Sequence, residues 1–126
     1  MTPNQIKNAY RGIQELTGVV FPFRVARGIA ALKKRLIEEL EVVAAMETAL
    51  VEKHGGTIDR GGSVKITGEE AQIFVDEYNA MMAQDDESIA LPVVDVSKFA
   101  DTLRISPDAV GWLEGMVIFE EVKDNG

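Results

Sequence analysis

The sequence predicts a mainly α-helical protein with a small β-hairpin, arranged as a helical hairpin or bundle around one long helix of residues 24–54. Three observations predict it. Apolar residues recur at three- and four-residue spacing through residues 6–16 and again through 29–50. Residues 24–54 hold no proline and one glycine, Gly28. Residues 57–66 alternate around Gly61-Gly62.

The first helix is expected over residues 3–17. Thr2 caps it, Pro3 sits at the first helical position, and Gln5 closes a capping box. Ile6, Ala9, Tyr10, Ile13 and Leu16 form its apolar stripe, and Gly18 stops it. Residues 19–23 follow as an extended connector, because Pro22 disfavours helix at Phe21, and this connector is expected to bury both Phe21 and Phe23.

In the long helix Ile29, Leu36, Val43 and Leu50 fall seven residues apart, with Leu32 and Met46 on an adjoining stripe and Gly55-Gly56 as the stop. At 1.5 Å per residue it would be about 46 Å long, more than the diameter of a compact domain of this size. Its far end must therefore pack on the first helix, on the C-terminal half, or on another copy of the chain. Glu39 and Lys53 interrupt the stripe, which favours a bundle helix over a continuous dimeric zipper.

Beyond the hairpin, Thr67 and Glu70 read as a second capping box for a helix running to about Ala83, with Phe74, Val75, Tyr78, Met81 and Met82 on its apolar face. Residues 84–87 are an acidic break. Pro92 makes residues 88–94 extended, and a short helical turn starting at Asp95 or Ser97 carries Phe99 and Leu103. Ser106-Pro107 repeats the cap-then-proline pattern, so Val110, Leu113 and Val117 are expected on a last helix beside Trp112. Residues 120–126 read as a polar, frayed tail.

The 126 residues suit a single domain spanning 1–126, able to bury roughly two-thirds of its unfolded surface without disulfide or metal. The absence of cysteine excludes a thiol nucleophile, thiolate zinc sites and cysteine-bound clusters. No secretory leader and no apolar run of membrane-spanning length is apparent, so the expected location is the cytoplasm of the cell that makes the protein. The net charge of -8 disfavours anionic partners. It is nevertheless split. Residues 1–37 carry seven cations against Glu15, or +6, and residues 38–126 carry six cations against twenty anions, or -14. Either the two parts pack together and neutralise each other, or the basic part meets an acidic partner or a neighbouring subunit.

Chemistry-bearing patterns are sparse. His54 is the one histidine, placed in the last turn of the long helix where the helix dipole favours its charged form. No paired histidines, calcium loop, nucleophile elbow or phosphate-loop ending accompanies it, so no cofactor, no metal and no enzymatic activity are expected. The candidate interface or anion-contact residues are Arg24, Arg27, Lys34 and Arg35 on the long helix, together with Trp112 as a large contact residue. Lys34 with Glu38 and Arg35 with Glu39 can also pair along the helix. The acidic remainder repels phosphates and so argues against direct nucleic-acid binding.

The order of features also carries a resemblance. Arg24-x-x-Arg27 leads into a charged helix ending Glu52-Lys53-His54-Gly55, then a glycine-bearing turn and an amphipathic helix. Leu91-Pro92-Val93-Val94-Asp95-Val96, Leu103-Arg104-Ile105-Ser106-Pro107-Asp108 and Trp112-Leu113-Glu114 complete the set. This order resembles an uncharacterised family of short phage and prophage proteins, from which the chain departs in its double-phenylalanine connector and its richer glycine turn. The resemblance implies a phage origin and a small α-rich fold, and no catalytic residues. Together these features give the expectation of a non-enzymatic phage or prophage accessory protein. It would act by protein–protein contact as a homo-oligomer, in the host cytoplasm or in the virion, with particle assembly as one setting. The alternative is a host-defence antagonist that sequesters a small nucleotide signal between basic residues or blocks a host nuclease as an acidic inhibitor.

Overall fold

The computed structural model describes residues 1–120; the last six residues of the polar tail expected above lie outside them. The protein is mainly helical, with two small two-stranded sheets. Helix α1 (Pro3–Leu16) starts on the expected capping box. The Gln5 backbone N–H donates to Thr2 Oγ1 at 3.1 Å, and the Thr2 N–H donates to Gln5 Oε1 at 2.8 Å. Helix α2 (Phe23–Lys53) has 31 residues and ends in a Schellman closure. There the Gly56 N–H donates to the Val51 carbonyl at 2.9 Å and the Gly55 N–H to Glu52 at 3.0 Å, with Gly55 at φ +67°.

Strands β1 (Thr57–Ile58) and β2 (Val64–Lys65) form the antiparallel hairpin, registered Thr57 to Lys65 and Ile58 to Val64. Its turn is held by Asp59 Oδ1, which accepts from the Gly61 and Ser63 N–H groups, both at 2.9 Å. Helix α3 (Glu69–Met82) and strand β3 (Val94–Asp95) follow. A 3-10 helix (Ser97–Thr102), helix α4 (Pro107–Trp112) and strand β4 (Val117–Ile118) complete the order. Helix α4 has the expected serine cap, Ser106 Oγ accepting from the Ala109 N–H at 3.2 Å.

Ile6, Ile13 and Leu16 of α1 meet Leu32 and Leu36 of α2 in one core, joined by Val96, Leu113 and Met82, each of these at most 2% exposed. Helix α1 runs antiparallel to α2. Pro3 and Ile6 share a groove with Val43 and Met46, and Leu16 shares another with Ile29. Beyond Glu47, α2 is flanked by the hairpin and α3, where Val51 and Ile66 close over Gly56. One side of the long helix is therefore covered from within the chain. Its other side is open to solvent.

Several expectations are corrected. Phe21 is buried, but Phe23 is 82% exposed and Val20 97%. Pro22 starts α2 at Phe23, and Phe23 lies two and a half turns before Leu32, so it faces away from the core. Met46 sits at the rim of the apolar stripe and is half out of it, at 36% exposure. Thr67 does not cap α3. Gly68, at φ +75°, holds the N-cap position without a side-chain bond, and Glu70 is drawn away to His54. Val75 of the expected apolar face is 45% exposed. Val117 is not helical. Gly115, at φ +85°, turns the chain after Leu113, and Val117 pairs in parallel with Val94 across a connection built from the 3-10 helix and α4.

Candidate functional site

The outward side of α2 gathers three of the candidate residues. At 100° per residue, Phe23, Arg27, Ala30, Lys34, Glu41 and Ala45 fall within about 60° of arc, opposite Leu32 and Leu36, and all are exposed. Ile37 and Val42 flank this stripe, 37% and 55% exposed. The charges on and beside the stripe are ordered. Arg24, Arg27 and Lys34 occupy the N-terminal half, and Glu38, Glu41 and Glu52 the C-terminal half. Among the described residues, neither Arg24, Arg27 and Lys34 nor Glu41 and Glu52 form an ion pair.

The other two candidates lie elsewhere. Arg35 is half-buried and committed within its own helix, 2.5 Å from Glu39 and 3.6 Å from Glu38. The expected Arg35–Glu39 pair forms, whereas Glu38 turns to Arg35 and not to Lys34. Trp112, half-buried at the end of α4, lines a cleft of about 450 Å³ with Gln5, Asn8, Ile89, Leu91 and Glu114. That cleft contains none of the candidate cations, so the five residues do not make one site.

Sequence reasoning missed a polar and aromatic seam that joins α1, α2 and α3. His54 closes α2, and its side chain is 5% exposed. Its Nδ1 lies 2.6 Å from Glu70 Oε2 and its Nε2 3.0 Å from Glu77 Oε2, which in turn sits 3.1 Å from Lys53 Nζ. A neutral imidazole can donate to one carboxylate only, while the imidazolium donates to both. The hydrogen bonds to Glu70 and Glu77 accordingly raise the His54 pKa above its ordinary value, against a smaller opposing effect of burial. The same contacts, with His54 and then Lys53, lower that of Glu77.

The seam continues through Phe74, edge-on to His54, and Tyr78, stacked on Phe74. The Tyr78 hydroxyl and the Lys7 ammonium both donate to Glu47 Oε2 at 2.9 Å. Burial pulls the Lys7 pKa down, but hydrogen bonds to Glu47 and Tyr78 outweigh it and leave it raised. Glu70, Phe74, Glu77 and Tyr78 share one face of α3 at helical spacing, which is a legible pattern, but nothing in the sequence says which element that face meets.

The seam fastens helices together. The two carboxylates flank opposite edges of the imidazole and so do not converge on one point, and no group of three potential ligands among the described residues is arranged to hold a metal ion. Three clefts among the described residues are lined by other residues. Among the described residues no helix is long and apolar enough to cross a membrane. No family model matches the chain, and no significant match was found among curated proteins or solved structures.

Proposed function

We propose that this is a non-enzymatic accessory protein of a phage or prophage that acts by protein–protein contact as a homo-oligomer, with particle assembly as its setting. One observation carries the contact reading: the outward side of α2 exposes Phe23, Ile37 and Val42 among charges of which Arg24, Arg27, Lys34, Glu41 and Glu52 form no ion pair within the described residues. Large apolar groups on an otherwise charged helix face are the composition of a contact surface. The order of sequence motifs supports the phage source. Size-exclusion chromatography with light scattering on the full chain at micromolar concentration tests the oligomer. The expected result is a mass of at least twice 13.8 kDa. A strict monomer contradicts the reading. Stabilisation of such a monomer by a cyclic nucleotide in a thermal-shift screen would instead favour the sequestration alternative.

A further inference from the structure

We infer that the partner of the outward α2 face is a second copy of the chain, packed antiparallel across α2, with Lys34 of each copy facing Glu41 of the other. The inference rests on the homo-oligomer reading and adds the surface, the orientation and the register.

Charge order decides the orientation. In a parallel pair, Arg24, Arg27 and Lys34 would face their own copies, and Glu41 and Glu52 theirs. Such like-charge contacts disfavour a complex. Turning one helix around places the basic half against the acidic half at both ends, and it also opposes the two helix dipoles favourably. The exposed charges available for this are those without an ion pair among the described residues.

The register follows from the outward stripe. Setting Lys34 against Glu41 places the dyad between Ile37 and Glu38. Ala30 then faces Ala45, both exposed. These short side chains let the backbones approach closely enough for Lys34 and Glu41 to meet. Arg27 falls opposite Thr48, one turn from Glu52, and Phe23 lies across the turn that carries Ala49 and Glu52. Ile37, near the dyad, is covered by the other copy's Ile37–Glu38 turn. The face that the chain leaves open is thus complementary to itself in one orientation only.

Charge exchange tests this. Lys34→Glu and Glu41→Lys each turn two symmetric attractions into two repulsions, so each variant alone should dimerise about tenfold more weakly or worse. Mixed one to one, the two variants regain both attractions in a heterodimer. Sedimentation velocity at low ionic strength should therefore show weak self-association for each variant and wild-type association for the mixture. Circular dichroism checks that each variant is folded, and both positions are exposed. If the wild type is oligomeric but the mixture associates no better than its components, this interface is wrong and the oligomer reading stands. If the wild type is monomeric, the oligomer reading fails first.

Discussion

Substituting Gly12 by alanine tests whether α1 and α4 approach as closely as the structure requires. Gly12 is buried within α1, and a Cβ there would lie 2.9 Å from Leu113 Cγ and 3.3 Å from the Ala109 carbonyl oxygen. Ordinary carbon–carbon contacts are about 3.5–4.0 Å, so the neighbour must retreat by roughly 0.6 Å or more. Retreat is hard. The blocked atom is a branch point, Leu113 is fully buried, and the carbonyl belongs to the α4 backbone. Overpacking of this kind costs about 1–3 kcal/mol, while replacing glycine by alanine inside a helix returns about 1 kcal/mol. The net expectation is a loss of about 1 kcal/mol, or about 3–5 °C in Tm. Gly111, within α4, has nothing within 4 Å of its would-be Cβ. Gly111→Ala should therefore stabilise by about 0.5–1 kcal/mol. Urea unfolding followed by the single tryptophan, Trp112, reads both variants, with protein concentration held fixed because association would add to apparent stability. A Gly12→Ala protein more stable than wild type refutes the close approach.

Two further outcomes are expected. The His54 clamp should make stability depend on pH: because the folded-state pKa is raised, its contribution is complete below the unfolded value of about 6.5 and is lost as pH rises through the folded value. Urea midpoints should fall over that window for wild type and stay flatter for His54→Gln. Since His54 is the one histidine, its NMR titration gives the folded pKa directly, and a value at or below the ordinary one contradicts the clamp. Gly55→Ala forces a side chain to φ +67° at the end of α2 and should cost about 1 kcal/mol in the same unfolding assay, whereas an unchanged midpoint would mean that the α2 terminus is not held in this closure.

The helices were legible wherever their signals are local. Thr2, Pro3 and Gln5 mark the start of α1, Ser106-Pro107 marks the start of α4, and Gly55-Gly56 ends α2, because capping depends on residues within a turn of one another. Predictions failed where phase or distant partners decide the outcome. Phe23 reads as core by composition, yet its position relative to Leu32 turns it outward. Glu70 has the spacing of a capping-box acid, but His54, sixteen residues earlier, takes it. The parallel pairing of Val94 with Val117 depends on a connection of more than twenty residues, for which no short-range rule exists. For the candidate site, Arg24, Arg27 and Lys34 were visible as a basic cluster in the sequence. Their relation to Glu41 and Ile37 emerges only when the packed side of α2 is known, since that alone defines which side is left over.

The central claim, antiparallel self-association through the outward side of α2, is tested most directly by crossed cysteine linkage, for which the cysteine-free chain provides a clean background. Ala30→Cys and Ala45→Cys, mixed and oxidised, should form a covalent dimer containing one of each. Ala30→Cys alone should not, because its two copies would lie about 22 Å apart along the helix pair, and a disulfide spans less than about 7 Å between Cα atoms. Linkage of Ala30→Cys to itself, or no linkage in the mixture of a protein that is dimeric, would contradict the account.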